Sequence, residues 1–276
     1  MTSIQTKGLK RNNIDKYYTN DEIVKLCINN IKKYLFIDDN DLIIEPSAGN
    51  GAFINYIKSL INNYRFYDIE PENDEIIKQD YLSLISNDFK EFNKIHIIGN
   101  PPFGRQSSIA IKFIKKSSQF CDTISFILPR SFKKDSLKKS FPLNFHLIFE
   151  IDLPSNSFLV NDIEYDVPCI FQIWQKKTEN REINIKIEPI NFIFVKKEDE
   201  PHISFRRVGV NAGFIDINFK DKNIQSHYFI KFTNDKSIED NLMKLSNITF
   251  DTNNTVGPKS ISKQEIISVF NLHLID

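Results

Sequence analysis

Cysteine is scarce in this 276-residue chain, and the three present (Cys27, Cys121, Cys169) lie far apart, with no Cys-x-x-Cys pair and no paired histidine spacing. That pattern argues against a disulfide framework and against a structural zinc site, so no metal is expected. Long apolar runs are missing too: nowhere do eighteen apolar residues follow one another, and Met1 to Lys7 lack the apolar core of a signal peptide. The expectation is a soluble, intracellular, cytoplasmic protein with no membrane partner. Net charge is absent, with 36 Lys and Arg against 36 Asp and Glu. Overall charge therefore neither selects nor excludes a nucleic-acid partner. No internal repeat and no low-complexity tract is present.

What remains is a globular composition, 41% hydrophobic and 26% charged, long enough for one large domain or for one domain with a smaller companion. Charge is uneven along the chain. From Pro101 to Phe141 nine basic residues (Arg105, Lys112, Lys115, Lys116, Arg130, Lys133, Lys134, Lys138, Lys139) face two acids, Asp122 and Asp135, an excess of 9 − 2 = +7. Such a stretch suits either a phosphate backbone or a solvated helix face.

From about Asp21 to Ser140 apolar runs alternate with amphipathic stretches, the pattern of strand–helix units and a parallel sheet. Helices are predicted near Asp21 to Tyr34, capped by Asn20 or Asp21, at Ala52 to Ile61 and at Ser107 to Ser118. Strands are predicted at Leu42 to Glu45, Tyr64 to Asp68, near Ile76, His96 to Gly99 and Thr123 to Leu128. After Pro142 two long strands, Phe145 to Leu153 and Pro168 to Gln175, are joined by a loop with no helix, which predicts antiparallel neighbours at one end of the sheet. Beyond Lys177 strands are predicted at Ile190 to Val195, His202 to Val208, Phe214 to Phe219 and Ser226 to Phe232. Two helices follow, the last opening on the capping-box pattern Ser262-Lys263-Gln264-Glu265. The boundary is expected near Thr178 to Arg181, giving domains 1–178 and 179–276, the second a small mixed domain.

Polar residues gather at the predicted strand ends. Leu42 to Glu45 runs into Pro46-Ser47-Ala48-Gly49-Asn50-Gly51, a loop whose glycines allow close backbone approach and whose helix start offers free amides, or simply a tight turn. No Gly-Lys-Ser or Gly-Lys-Thr follows, which rules out the phosphate-binding loop. The next strand ends in Asp68, placed to accept from ribose hydroxyls, with Glu70 as a rival. Asp80 can accept from an amino group or cap a helix, and Tyr81 can pack on a ring. The strand ending at Gly99 leads into Asn100-Pro101-Pro102-Phe103. Two prolines stiffen this turn and remove two backbone donors, leaving carbonyl oxygens, the Asn100 amide and an aromatic face.

In this order, Tyr17-Tyr18-Thr19, Glu45 to Phe53, Asp68, Asp80 and Asn100 to Phe103 resemble the motifs of S-adenosylmethionine-dependent amino-methyltransferases that act on adenine, over about Lys16 to Lys177. The resemblance implies a Rossmann-like class I methyltransferase fold, a seven-stranded α/β sheet whose last two strands are an antiparallel pair. It implies S-adenosyl-L-methionine as cofactor, with Tyr18 and Thr19 over the methionine end, Glu45, Ser47, Ala48 and Gly49 against the cofactor, Asp68 on its ribose and Asp80 with Tyr81 on its adenine. The tetrad Asn100, Pro101, Pro102 and Phe103 would be catalytic, on the exocyclic 6-amino group of a flipped or unpaired adenine. Arg130 and Phe132 are candidates for substrate contact, because ligands lie outside the carboxyl ends of parallel strands, and Phe158, at the centre of a loop predicted from Ser155 to Asp166 that borders the pocket, is a third.

The motif order is similar to the DNA methyltransferases whose recognition domain is C-terminal, although only about a hundred residues remain here for that purpose. The same tetrad occurs in methyltransferases of protein glutamine amides, which typically carry tyrosine in fourth place and an N-terminal helical domain. Phe103 and the C-terminal extension favour a nucleic acid, DNA ahead of RNA, with a cap-proximal adenosine as an RNA alternative. A binding module without turnover is the reading from another class.

Overall fold

In a computed structural model of the chain, residues 17–85, 89–160, 163–182, 186–250 and 259–275 are described. The signal-peptide reading of Met1 to Lys7 lies outside them. The chain divides into two compact units, residues 1–183 and 184–276.

The first unit opens with β1 (Tyr18–Thr19) and α1 (Asp21–Tyr34). Asn20 caps α1, its side chain accepting from the Glu22 amide, and Asp21 and Glu22 complement the helix dipole. Then come β2 (Leu42–Glu45), α2 (Ile54–Lys58), β3 (Tyr64–Asp68), β4 (Ile77–Lys78) and β5 (Ile95–Gly99). They are followed by α3 (Ser108–Ser117), β6 (Thr123–Pro129), α4 (Asp135–Lys138), β7 (Phe145–Asp152), β8 (Phe158–Val160), β9 (Ile163–Tyr165) and β10 (Cys169–Lys176).

Seven strands form one sheet in the order β4-β3-β2-β5-β6-β10-β7. The β4–β3, β3–β2, β2–β5 and β5–β6 pairs are parallel, whereas β10 runs antiparallel to both β6 and β7. This is the class I methyltransferase arrangement the sequence implies, antiparallel final pair included. β2, β5 and β6 are buried at every residue, as strands covered on both faces must be. On one face, Ala110, Phe113 and Ile114 of α3 pack with Ile95, Ile97, Ile124 and Phe126.

Two expectations change. The helix predicted over Ala52 to Ile61 shrinks to the five residues of α2, because Gly51, at φ +88°, carries a turn up to Phe53. The loop predicted from Ser155 to Asp166 contains the hairpin β8–β9, which pairs with β1 as a separate three-stranded sheet. At the end of the expected boundary stretch Thr178 to Arg181, Arg181 donates to four carbonyls of the first unit: Pro142 at 2.5 Å, Phe145 at 2.6 Å, Phe141 at 2.9 Å and Lys138 at 3.1 Å.

The second unit has a four-stranded antiparallel sheet of order β11-β14-β12-β13, made from β11 (Phe192–Val195), β12 (Ile203–Arg206), β13 (Ile215–Asp216) and β14 (His227–Phe232). Against it pack α5 (Ile238–Leu245) and α6 (Lys263–Leu274), around Phe192, Phe205, Ile230, Ile266 and Phe270. The capping box at Ser262 and Glu265 is formed in both directions.

β10 is wedged between β6 and β7, and its Trp174 stacks on Phe141 at 4.0 Å between ring centroids and donates to Gln172 Oε1 at 2.9 Å. Trp174→Ala should therefore cost about 3–5 kcal/mol of stability, read as a lowered urea midpoint by circular dichroism. An unchanged midpoint would show that this packing does not hold the antiparallel pair.

Candidate active site

The carboxyl ends of β2, β3 and β5 deliver their terminal polar residues to one cavity of about 740 Å³. Every residue the sequence assigns to catalysis or cofactor lines it: Tyr18, Thr19, Glu45, Ser47, Ala48, Gly49, Asp68, Asp80, Tyr81 and Asn100 to Phe103. Tyr17, Glu72, Gln79, Arg105, Ile109 and Phe113 line it as well. Tyr17 stands beside the motif the sequence already marks and Arg105 within the basic run. Glu72 carries no sequence signal; it is found through its contact, accepting from the Tyr18 hydroxyl at 2.6 Å.

The loop after β2 is laced to the tip of β3. The Gly49 amide donates to Asp68 Oδ2 at 2.8 Å, the Ala48 amide to the Tyr67 carbonyl at 2.9 Å, and the Glu72 amide to the Gly49 carbonyl at 3.0 Å. Asp68 Oδ1 accepts from the Glu70 amide at 2.8 Å, so two backbone donors aim this carboxylate. Gly49 sits at φ +55°, and a Cβ there would meet the Tyr18 ring at 3.4 Å. Left-handed backbone, rather than crowding, requires glycine. Asp80 caps the short 3-10 turn Tyr81–Ser83 through the Leu82 amide, one of the two roles the sequence allows, and also lines the cavity. Tyr81 is 1% exposed, stacked on Phe113 at 5.5 Å and bonded to the Ser117 hydroxyl at 2.8 Å, so it belongs to the cavity floor and the core together.

Asn100 is held from both ends. Ser47 donates to its backbone carbonyl at 3.3 Å, and its Nδ2 donates to the Tyr17 carbonyl at 3.2 Å and to Thr19 Oγ1 at 3.3 Å. Its Oδ1 is buried and accepts from nothing among the described residues. Pro101 is buried, while Pro102 and Phe103 are half-buried. Beyond Phe103 the backbone is left-handed at Gly104 (φ +67°), Gln106 (φ 52°) and Ser107 (φ 61°), a strained approach to α3.

The three residues expected to touch substrate are placed elsewhere. Phe132 and Phe158 are fully buried, the first in the core of the main sheet and the second opposite Thr19 in the small sheet. Arg130 lies 3.2 Å from Asp152 through its Nε, without a hydrogen-bonding angle, and is not in the cavity wall. Position at a strand end does not fix the face a side chain takes. The basic run is also thinner than its count, because acids of β7 answer it: Lys133 bonds Asp152 at 2.6 Å and Lys138 lies 3.4 Å from Glu150. Arg105 at the cavity wall and Lys112 and Lys115 on the open face of α3 are exposed and make no salt bridge among the described residues.

Glu45 is 2% exposed and its Oε2 has no hydrogen-bond partner among the described residues. Burial, and secondarily the Asp68 carboxylate, pushes its pKa from the ordinary 4.5 up to about 8. An acid raised on folding keeps a proton that the unfolded chain releases, so stability falls as pH rises from about 4.5 to 8. The Glu45 contribution should approach about 1 kcal/mol per pH unit across that window. Glu45→Gln should flatten the difference in urea midpoint between pH 5 and pH 8; parallel slopes in the two proteins would refute the assignment.

No group of three or more His, Cys, Asp or Glu side chains able to hold a metal occurs among the described residues, and no helix there is long and apolar enough to cross a membrane. Protein ENHANCED DOWNY MILDEW 2 of Arabidopsis thaliana is 25% identical over 146 residues, 49% of this chain and 11% of that protein, so the chain spans only about a tenth of the relative's length. A Listeria monocytogenes protein proposed to be a class I S-adenosylmethionine-dependent methyltransferase superposes with TM-score 0.44 at 14% identity, over 65% of each chain. A Pyrococcus horikoshii protein proposed to be an RNA methyltransferase gives 0.43 at 15%, over 62% of this chain and 92% of that one. Likenesses of that size say nothing of substrate. Residues 36–182 match the EDM2 methyltransferase-like domain. That stretch, more than half of the 276 residues, runs from before β2 through β10 and contains every cavity residue except Tyr17, Tyr18 and Thr19; the chain belongs to the EDM2 methyltransferase-like domain family.

Proposed function

We propose that this protein transfers a methyl group from S-adenosyl-L-methionine to the exocyclic 6-amino group of adenine in nucleic acid, with DNA ahead of RNA. The observation that carries the reading is Asn100, which lines a cavity large enough for nucleoside-sized ligands and whose buried Oδ1 has no hydrogen-bond partner among the described residues. Unpaired buried acceptors cost about 1–3 kcal/mol each, so one fixed in place at a cavity is a position kept for a donor.

The residues present fit the cofactor. Gly49 offers close backbone approach, Asp68 a carboxylate aimed by two amides, and Glu45 a buried carboxyl, raised in pKa, that a cationic group beside it would return to its charged form. When bound, the cofactor supplies an electrophilic methyl on a sulfonium. The chain's own work is to raise the nucleophilicity of an amine whose lone pair is delocalised into the ring. Asn100 Oδ1 and the Pro101 carbonyl accept the two amino hydrogens and draw the nitrogen towards tetrahedral geometry. Their fixed dipoles stabilise the positive charge that develops there, and the surplus proton leaves to water. Half-buried Phe103 gives the ring a stacking face. Unpaired Arg105, Lys112 and Lys115 favour an anionic polymer over a protein amide. Residues 184–276, a separate compact unit, serve recognition or an accessory role.

Methyl transfer from labelled cofactor to DNA, RNA and protein pools tests this. Label is expected in nucleic acid as N6-methyladenine, and Asn100→Ala should lower kcat by about 10² or more, the scale of losing one preorganised dipole. Label in protein alone would overturn the substrate, and full activity in Asn100→Ala would overturn the mechanism.

A further inference from the structure

An asparagine amide can turn end for end at little steric cost, because its oxygen and nitrogen are nearly the same size and its terminal torsion is broad and twofold. For Asn100 the turn would put an NH₂ group where the acceptor must be. One atom forbids it, and a second holds the arrangement that remains. The Tyr17 carbonyl only accepts, so Asn100 must present Nδ2 to it, and Thr19 Oγ1 takes the second hydrogen. Both lie more than eighty residues away in sequence, Thr19 in a strand two residues long and Tyr17 just before it.

So short a strand cannot hold itself, and the hairpin supplies the support. Tyr18 pairs with Leu159 and Thr19 with Phe158, the Asn20 amide donates to the Ser157 carbonyl at 3.1 Å, and β8 is paired in turn to β9. The Tyr17 ring packs on Tyr165 at 5.7 Å and on Phe158 at 6.3 Å. Thr19 is 7% exposed, so its hydroxyl is shielded from water. The strand lies outside residues 36–182, the portion shared with the family, while the asparagine it steers lies inside.

We infer that Thr19 is a positioning residue for methyl transfer, its hydroxyl and the Tyr17 carbonyl fixing the Asn100 amide with its oxygen as the acceptor, and that the β8–β9 hairpin holds this strap in register. The inference rests on the methyl-acceptor reading of Asn100 given above. Thr19 acts through Asn100 and not through substrate. Its loss therefore lowers kcat at saturation, because part of the population presents NH₂ to the amine.

The test has two arms. In the first, Thr19→Val, which keeps the side-chain shape, should lower kcat at saturating cofactor and nucleic acid about 10- to 100-fold, the scale of a small misplacement at a reacting centre. Thr19→Ser should restore it. A Thr19→Val protein with normal kcat and only weakened S-adenosylhomocysteine affinity by calorimetry would make Thr19 a simple cofactor contact and overturn the inference. The second arm needs no turnover: the Asn100 side-chain NH₂ signals of the nitrogen-15-labelled protein, assigned by their loss in Asn100→Asp, should exchange slowly with solvent. They should shift and exchange faster in Thr19→Val and in the hairpin variant Tyr165→Ala, with melting curves confirming that each variant is folded. Signals unchanged in both folded variants would sink the strap. Signals that respond in a protein without any methyl transfer would keep the strap and overturn the proposed function instead.

Discussion

The parallel register of β2, β3, β5 and β6 is the constraint on which everything else here depends. Parallel strands point their carboxyl ends to one edge, and burial of β2, β5 and β6 at every residue fixes that register, since a slip would turn each strand's apolar set out of its place. The chain places Glu45 at the end of β2, Asp68 at the end of β3 and Asn100 just past β5. None of these three positions needs to know of the others. They meet because the apolar residues before them have a single way to pack.

That meeting carries an energetic penalty which the rest of the unit offsets. Glu45 Oε2 and Asn100 Oδ1 are buried without partners, the loop after β2 has left-handed backbone at Gly49 and Gly51, and the path beyond Phe103 is left-handed at Gly104, Gln106 and Ser107. The glycines take their backbone at little cost, whereas each buried unpaired oxygen and the left-handed Gln106 and Ser107 cost about 1–3 kcal/mol and persist only where the surrounding packing over-determines them. Here the packing is the Ile- and Phe-rich core of the sheet and the hydrogen bonds that lace the β2 loop to the tip of β3. Dipoles held in this way need not reorganise when charge develops beside them, which is the main physical source of catalysis in the proposed reaction.

Sequence reading succeeds where one local rule decides the outcome. Apolar-rich runs identify β2, β3, β5 and β6, two long runs without a helix between them announce the antiparallel β7–β10 pair, and Ser262 with Glu265 marks the start of α6. It fails where distant partners decide. β1 has two residues and no periodicity, and its partner Phe158 is about 140 positions away, so the small sheet left no local trace. Phe158 read as a loop residue at the pocket because its burial depends on that pairing. The +7 excess in the basic run misled for a similar reason: Glu150 and Asp152 fall outside the window that was counted, yet lie beside Lys138, Arg130 and Lys133 once β7 is folded.

The remaining question is how Glu45 and Asn100 come to line one cavity. β2 and β5 are direct neighbours, with Ile44 opposite Ile97, so their ends are separated by about the 4.8 Å spacing of hydrogen-bonded strands before side chains are considered. Gly99 removes the remaining obstacle: a Cβ there would stand 3.2 Å from Glu45 Cγ, closer than most side chains tolerate, and would push the Glu45 side chain away from the turn that begins at Asn100. The glycine that ends β5 is therefore a spacing device between a carboxyl suited to a cationic ligand and an amide suited to an amine. A bimolecular transfer gains most from holding its two partners at contact distance on stiff supports, and adjacent parallel strands are the stiffest supports this fold has.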